Sequence, residues 1–248
     1  MMYYKRDFKA AMRKVNEMVY VTGDTHGDYR RFSDPRLRAL KKGDTLVICG
    51  DFGCIWDGSK SEERVLRRLG KKRYNICFLD GTHENFELLE SYPVEMWNGG
   101  KVHAISGNVY HLMRGQVYTL EGMRCFTMGG GESPDMDIRI EYDSWSKAEI
   151  PTKQELLDAA QVVDRTGGNI DIILTHEPPQ RIKGFLQLKE NKEAVRVTGL
   201  NTFFDELATF CKFKRWFFGS LHEDKFISKS HIAVFHNIVN AATGELLR

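Results

Sequence analysis

Apolar runs rich in β-branched and aromatic residues alternate with helical patterns through residues 18–90. This alternation is typical of βαβ units and predicts strands followed by helices in an α/β protein. Each run ends in a loop with Gly or Asp, and α/β sheets place their chemistry in such loops. The predicted strands are Met18–Thr22, Thr45–Cys49 and Asn75–Leu79, and the predicted helices lie near Pro35–Leu40, Ser61–Leu69 and Glu84–Glu90.

Four short apolar runs follow between residues 101 and 128, separated by turns, and predict a β-meander. Gly129-Gly130-Gly131 then opens a polar segment without a clear period, where we predict a lid loop at about residues 129–150. Thr152 and Glu155 have the spacing of a capping box, which predicts a helix up to about Arg165. Further strands are predicted at Asn169–Leu174, Arg215–Phe218, Ile232–Phe235 and Val239–Leu247, and a further helix at Asn201–Cys211.

Composition limits the class of protein more than it indicates a function. Of the 248 residues, 42% are hydrophobic, which allows a sizeable core and excludes disordered and fibrous classes. No repeat or linker divides the chain, so we predict a single domain over residues 1–248. The five cysteines are odd in number and lack C-x-x-C spacing, which argues against disulfide frameworks and zinc ribbons and indicates buried, reduced residues.

Charge and hydropathy add expectations about partners and location. No apolar run approaches the ~18 residues of a membrane span, and residues 1–7 lack the apolar core of a signal peptide. We therefore expect a cytoplasmic protein with no membrane partner.

The chain has 36 Lys+Arg and 34 Asp+Glu, a balance that does not favour nucleic acid as partner. Arg64, Arg67, Arg68 and Lys71 nevertheless form one basic helix face, which is either simply solvated or binds anions.

Histidine and aspartate residues recur where predicted strands give way to loops. Together, carboxylate and imidazole ligands suit Mn, Fe or Zn, whereas an all-oxygen set would suit Mg or Ca. Asp24 and His26 project to one side of an extended segment, and Asp51 could bridge two ions from the neighbouring strand. Such a bridged pair can clamp a phosphoryl group. The clusters are Gly23-Asp24-Thr25-His26-Gly27-Asp28, Gly50-Asp51-Phe52-Gly53, Gly81-Thr82-His83-Glu84, and Thr175-His176 with Gly219-Ser220-Leu221-His222.

In this order, the clusters resemble the motifs of the calcineurin-like metallophosphoesterase family over residues 18–222. Members of that family carry Asp-x-His, Gly-Asp-x-x-Asp/Gly, Gly-Asn-His-Asp/Glu, a later His, and Gly-His-x-His. The resemblance implies an α/β four-layer sandwich, in which helices flank two mixed β-sheets and a dinuclear metal centre lies at the strand ends. It also implies the metal ligands: Asp24, His26 and His222 for the first ion, Asp51 as the bridge, and His176 for the second ion.

The resemblance further implies hydrolysis of phosphate esters by a metal-activated hydroxide. His83 would be the catalytic acid that protonates the leaving oxygen. Glu84 is either the group that orients His83 or only a residue at a helix start. Arg139, in the predicted lid, is either solvated or in contact with an anionic substrate. The remaining histidines, His103, His111, His231 and His236, lack ligand spacing and are assigned structural roles.

Two positions depart from the family pattern. Thr82 stands in place of the Asn ligand, and Ser220 in place of the first His of Gly-His-x-His. In the family pattern both positions belong to the second ion. Neutral hydroxyl groups bind divalent ions poorly, so these two departures would weaken the second site. We therefore expect one tight site and one weak site for divalent metal ions, with Mn or Fe preferred and Zn or Mg as alternatives.

Several other enzyme classes are excluded by spacing. Positions 87, 180 and 226 are not His, so no H-E-x-x-H zinc motif is formed. A second Gly is absent from residues 219–223, which excludes a nucleophile elbow, and neither a P-loop nor a G-x-G-x-x-G motif follows a strand.

Three hypotheses remain. The first is a phosphomonoesterase or phosphodiesterase acting on a phosphorylated small molecule. The second is a catalytically weak or silent member of the same family, which binds a phosphorylated or protein partner, and Thr82 and Ser220 support it. The third is a nuclease, for which the basic helix face is the only support. The physiological substrate and the oligomeric state are not determined by the sequence.

Overall fold

The computed structural model describes residues 17–142, 144–190 and 196–248. Within them the strands form two mixed sheets, and the larger sheet has the order β13-β1-β2-β3-β6-β5-β4. Strands β1, β2, β3 and β6 run parallel, while β13, β5 and β4 pair antiparallel with their neighbours. The bounds are β1 Val19–Thr22, β2 Thr45–Ile48, β3 Asn75–Phe78, β4 Val94–Trp97, β5 Gly100–Ser106, β6 Val109–Leu112 and β13 Val239–Asn240.

The smaller sheet has the order β11-β12-β10-β9-β8-β7. Strands β8, β9, β10 and β12 run parallel, and the two edge strands are antiparallel to their neighbours. The bounds are β7 Gln116–Leu120, β8 Met123–Met128, β9 Ile172–Thr175, β10 Arg215–Phe218, β11 Lys225–Phe226 and β12 His231–Ala233.

Helices connect the strands and begin at polar caps. The side chains of Ser59 and Asn85 accept hydrogen bonds from backbone N–H groups at the starts of the first two α-helices. Thr152 forms the predicted capping box with Glu155. The α-helices are α1 Lys60–Leu69, α2 Phe86–Glu90, α3 Met136–Glu141, α4 Lys153–Asp164, α5 Gln180–Glu190 and α6 Gly199–Phe210, and the 3₁₀ helices are Tyr29–Ser33, Pro35–Ala39 and Lys147–Glu149.

Three apolar clusters account for the layers. The central cluster joins the facing sides of the sheets, with Val21 and Val47 from one and Leu174 and Phe217 from the other. A second cluster packs α1 and the two 3₁₀ helices near the chain start against the larger sheet, and a third packs α4 and α6 against the smaller one. The order is therefore helices, sheet, sheet, helices, which confirms the predicted four-layer α/β sandwich.

The predicted meander is wrong as a single unit. Strands β5 and β6 form a hairpin in the larger sheet, whereas β7 and β8 form a hairpin in the smaller one. The chain changes sheets through residues 113–115, where Gly115 has a φ of 67° and lies against Ala159 of α4. A residue with a Cβ is strained at this φ and would meet α4, which explains the glycine at the crossover.

The predicted lid segment contains secondary structure and packs against its surroundings. It includes α3 and the 3₁₀ helix at Lys147–Glu149, although residue 143 lies outside the described residues. Gly130 and Gly131 donate backbone hydrogen bonds to Asp80 and Glu149. Opening of this segment, like the single-domain organisation, stays a prediction.

Two further expectations can be compared with the structure. All five cysteines are buried and unpaired, as predicted. The described helices include none with the length and apolar character that a membrane crossing requires. The signal-peptide expectation concerns residues 1–7, which lie outside the described residues.

Candidate metal centre

The candidate ligands come from five strand ends that meet at one edge of the two sheets. Strands β1, β2 and β3 lead into the loops of Asp24, Asp51 and His83, and strands β9 and β10 lead into the loops of His176 and His222. Backbone hydrogen bonds join the loops, because Thr25 and His26 both donate to the carbonyl oxygen of Asp51. The convergence follows from the parallel direction of these strands within each sheet.

Four side chains form a compact cluster with one ligand atom each. The nearest ligand atoms of Asp24, His26, Asp51 and His222 all lie within 4.8 Å of one another. The Nε2 atoms of His26 and His222 are 3.0 Å apart, and Nε2 of His222 is 3.0 Å from Oδ2 of Asp24. Both carboxylates are nearly inaccessible, since Asp24 is 1% exposed and Asp51 is 2% exposed.

The backbone at this cluster is strained. His26, Asp51 and His222 have φ values of 44°, 44° and 50°, in the left-handed region that non-glycine residues seldom adopt. Such conformations cost on the order of 1 kcal/mol or more each and concentrate at functional sites. Three of the cluster's four side chains therefore depend on a backbone that the rest of the fold must stabilise.

Neighbouring glycines leave the space that the candidate ligands occupy. A Cβ at Gly219 would overlap Oδ1 of Asp24, and one at Gly81 would overlap Oδ1 of Asp51. A Cβ at Gly50 would overlap Nδ1 of His176. The glycines of the sequence motifs are thus required for close approach between loops.

His176 lies beside the cluster and is 2% exposed. Its Nδ1 atom lies 3.2 Å from the carbonyl oxygen of Cys49 and can donate to it, which leaves Nε2 as the atom available for a ligand. Nε2 is 3.9 Å from Oδ1 of Asp51. The ligand role that the resemblance implies for His176 at a second ion stays a prediction.

The two departures from the family pattern adjoin this second position. Thr82 is buried, its N–H donates to Oδ1 of Asp51 at 2.6 Å, and its hydroxyl lies 3.0 Å from Nδ1 of His83. The hydroxyl of Ser220 is buried and has no hydrogen-bond partner in the part of the chain that the structure describes. Asp51 and His176 are thus the strong candidate ligands at this position.

His83 lies between two carboxylates. Its Nδ1 atom is 3.0 Å from Oδ2 of Asp51, and its Nε2 atom is 3.6 Å from Oδ2 of Asp135. Asp135 was not predicted as a site residue. Its other carboxylate oxygen, Oδ1, is buried and has no hydrogen-bond partner within residues 17–142, 144–190 and 196–248. No motif spacing marks Asp135, because it comes from the polar segment between β8 and α4 and reaches His83 only through the fold.

Glu84 has neither of the two roles that the sequence suggested. Its buried carboxylate accepts hydrogen bonds from the N–H groups of Phe52 at 2.7 Å and Gly53 at 3.3 Å. Asn85, not Glu84, caps α2. Glu84 therefore fixes the loop that carries Asp51, and a long-range contact of this kind has no signal in motif spacing.

Arg139 is neither solvated nor placed to bind a substrate. Its side chain is buried, pairs with Glu149 at 3.1 Å and donates to the carbonyl oxygen of Thr82 at 3.0 Å. Arg139 lies on the short helix α3. Arg139 thus connects the segment between β8 and α4 to the loop of His83.

The carboxylates dominate the electrostatics of the cluster. Burial lowers the pKa of His176, but attraction to Asp51 and Asp24 outweighs it and raises the pKa to about 9. A hydrogen bond to Asp24 raises the pKa of His222, and one to Asp51 raises the pKa of His83. Burial alone would raise the pKa of Asp51, yet the neighbouring histidines hold it below its ordinary value. The carboxylates thus favour the protonated form of His176, His222 and His83, whereas at His26 burial outweighs them and lowers the pKa.

A divalent cation fits this donor set. Among the described residues, Oδ1 of Asp24 is buried without a hydrogen-bond partner, and two imidazole Nε2 atoms face each other. A buried carboxylate oxygen without a partner is costly, and a cation would satisfy it. Mixed nitrogen and oxygen ligands suit Mn, Fe or Zn. The cluster of Asp24, His26, Asp51 and His222 is therefore a candidate metal site.

Comparison with known proteins identifies the family of this arrangement. The model of the calcineurin-like phosphoesterase family matches residues 18–224. The match includes all five loops that carry candidate ligands. No curated protein sequence is significantly similar to the chain.

Proposed function

The chain belongs to the calcineurin-like phosphoesterase family, and we propose that it is a metal-dependent hydrolase of phosphate esters. The proposed substrate is a phosphorylated small molecule, either a monoester or a diester. The observation that carries the proposal is the meeting of four ligand atoms, within 4.8 Å of one another, at the strand ends.

Divalent cations supply, when bound, positive charge for phosphoryl oxygens and a lowered pKa for a water molecule. We assign the first ion to Asp24, His26, Asp51 and His222. We assign the second ion to Asp51 and His176 and expect it to bind more weakly. Mn or Fe is the proposed metal.

His83 is the proposed general acid of the reaction. Its Nδ1–H group can donate to Oδ2 of Asp51 over 3.0 Å, and this hydrogen bond raises the pKa of the imidazole. A raised pKa keeps a second proton on Nε2, where it is available for the leaving oxygen. The backbone N–H groups of Thr82 and His83 also donate to Oδ1 of Asp51, so the loop holds acid and carboxylate in one arrangement.

The proposal is tested with p-nitrophenyl phosphate and bis(p-nitrophenyl) phosphate in the presence of Mn²⁺. We expect turnover of at least one ester that stops on chelation. With glycerol 2-phosphate, whose alkoxide leaving group needs a proton, we expect a loss of about 100-fold or more in kcat for His83→Ala. His231→Gln, which lies outside the ligand cluster, serves as control and should keep the activity. Bound metal without hydrolysis, across Mn²⁺, Fe²⁺, Zn²⁺ and Mg²⁺, would contradict the proposal.

A second candidate function is binding without catalysis. The environments of Thr82 and Ser220 favour it, because neither hydroxyl replaces a strong ligand at the second position. In that case the protein would bind metal and a phosphorylated ligand but not turn it over.

The nuclease hypothesis has less support. Arg64, Arg67 and Arg68 are exposed on α1, where Arg67 lies 3.9 Å from Glu63 and Arg68 lies over the ring of Tyr29. These contacts fit an ordinary solvated helix face. The cytoplasmic location stays a prediction from the sequence.

A further inference from the structure

A cavity of about 350 Å³ opens beside α2 and is lined by none of the four clustered metal-ligand candidates. Its size falls within the roughly 300–1,000 Å³ of small-molecule pockets. Strands β5 and β6 contribute histidines to its wall, and the apolar part of the wall comes largely from Phe86, Leu89 and Met113. The proposed hydrolysis uses none of these groups.

A chain of hydrogen bonds runs through the wall of the cavity. Oδ1 of Asp80 lies 3.1 Å from Nε2 of His111, and Nδ1 of His111 lies 2.9 Å from Nδ1 of His103. Arg114 already balances the charge of Asp80, with Nε and Nη2 at 2.8 and 2.6 Å from Oδ2. In the tautomer with its one ring hydrogen on Nε2, His111 donates to Asp80 and accepts at Nδ1 from His103.

This chain leaves His103 with an acceptor atom that has no partner. His103 is 6% exposed and lines the cavity, and its Nε2 atom has no hydrogen-bond partner among residues 17–142, 144–190 and 196–248. Because Nδ1 carries the hydrogen, Nε2 carries a lone pair. An acceptor atom of this kind, in the wall of a cavity, is suited to a donor group of a ligand.

The charged groups around the cavity give it an excess of negative charge. Arg114 is the one cationic residue among the described residues that line it, and this guanidinium is paired with Asp80 and with Glu155 at 3.3 Å. Glu90 is exposed at the end of α2, with no ion pair in the described part of the chain. A ligand at Glu90 and His103 would thus meet one carboxylate and one neutral acceptor, but no free cation.

We propose that this cavity binds a small organic cation, an alkyl or arylalkyl ammonium compound. Its ammonium group would donate hydrogen bonds to Nε2 of His103 and to the carboxylate of Glu90, and its apolar body would contact Phe86, Leu89 and Met113. Anionic compounds are disfavoured because the cavity has no unpaired positive charge to receive them.

The cavity and the metal centre share a loop. Asp80 lines the cavity and is followed three residues later by His83. On the same side, Arg114 donates to the carbonyl oxygen of Glu149, whose side chain pairs with Arg139 next to Thr82. A ligand in the cavity would therefore contact groups that support the loop of His83.

The test measures binding of phenethylamine to the full chain by NMR, with phenethyl alcohol and phenylacetate as its neutral and anionic counterparts. We expect saturable binding of the amine and a change in the ¹⁵N signal of Nε2 of His103. Glu90→Gln should raise the Kd about tenfold, which corresponds to about 1.4 kcal/mol. Glu87→Gln, an exposed glutamate of α2 that does not line the cavity, is the matched control and should leave the Kd unchanged.

The proposal is wrong if the amine does not saturate, or if phenylacetate or the alcohol binds as tightly as the amine. An unchanged Kd in Glu90→Gln would also overturn it. Loss of amine binding in Asp24→Asn would place the amine at the metal centre and would equally contradict the proposal. Because the measurement reads binding and not hydrolysis, its result does not depend on the proposed catalytic function.

Discussion

At the scale of single residues, the second metal position is the most informative part of the centre. Asp51 and His176 remain as strong candidate ligands there, while Ser220 has a buried hydroxyl without a partner. The hydroxyl of Thr82 lies beside Nδ1 of His83, and its backbone N–H donates to Oδ1 of Asp51. Differences in metal affinity between the two positions should therefore arise from these two side chains.

We predict that Thr82→Asn combined with Ser220→His tightens the second site and raises hydrolysis. An amide oxygen and an imidazole nitrogen are better ligands than neutral hydroxyls, so a gain of about tenfold in affinity is expected at each added ligand as an order of magnitude. Titration with Mn²⁺ measures the affinity. An unchanged second site in the double variant would mean that other groups complete it.

His103 provides a prediction about pH. Burial, together with neighbouring His111, lowers the pKa of His103 to about 4, whereas the unfolded chain should show about 6.5. Since the folded state binds the proton less readily, the contribution of His103 to stability is complete above about pH 6.5 and is lost as the pH falls toward 4. Urea unfolding of metal-free protein at pH 7.5 and pH 5 measures the change.

His103→Gln is the comparison for this prediction, because its amide N–H can still donate to His111. The variant should lose less stability than the wild type between pH 7.5 and pH 5. An equal loss in both proteins, or an NMR titration that gives His103 an ordinary pKa, would contradict the prediction.

Some residue roles could be predicted from the sequence and others could not. Asp24, His26, Asp51, His176 and His222 could be selected because each follows a strand, and the structure brings them together. Contacts made across the fold were out of reach, as for Asp135 beside His83 and Glu84 beneath the loop of Asp51. Spacing along the chain contains no information about such contacts.

At the scale of elements, the segment between β8 and α4 connects the outer part of the site to the core. Its anchor is the pair of Arg139 and Glu149, whose side chains are 9% and 0% exposed. Ser133 adds two hydrogen bonds to the same carboxylate. These buried contacts attach the segment to the core, at Glu149.

We predict that Arg139→Ala destabilises the protein by about 3–5 kcal/mol, since it leaves the carboxylate of Glu149 buried without its partner. Lys147→Ala, an exposed change in the same segment, should stay within about 0.5 kcal/mol of the wild type. Urea unfolding measures both. A cost below about 1 kcal/mol for Arg139→Ala would show that the segment is not anchored in this way.

Element types followed from periodicity more reliably than sheet membership did. The predicted strand at Arg215–Phe218 matches the observed one, but the hairpins on either side of Gly115 belong to different sheets. Among the elements that were not predicted are β4 and α5. β4 is an edge strand whose first three residues are exposed, and α5 contains Gly184, so neither has a clear apolar pattern.

At the scale of the whole molecule, function depends on how the two sheets are stacked. The central cluster holds their inner faces together, and the candidate ligands arrive from the carboxyl ends of strands in both. The larger sheet supplies Asp24, His26 and Asp51, and the smaller one supplies His176 and His222. The centre is therefore complete only when both sheets have folded and packed.

Sheet register also creates the cavity network. His103 and His111 lie directly opposite each other in the β5–β6 hairpin. They are equally distant from Gly107 along the sequence, so a hairpin centred on that glycine would have predicted their contact. The interpretation of these histidines as unrelated structural residues missed this symmetry.

The central claim is that four side chains from both sheets hold one divalent cation tightly while a second position binds it weakly. Calorimetric titration of metal-free protein with Mn²⁺ tests this claim most directly. We predict one tight and one distinctly weaker site in the wild type, loss of the tight site in Asp24→Asn, loss of both in Asp51→Asn, and no change in the control His231→Gln. Two sites of equal affinity, or no tight site in the wild type, would contradict the claim.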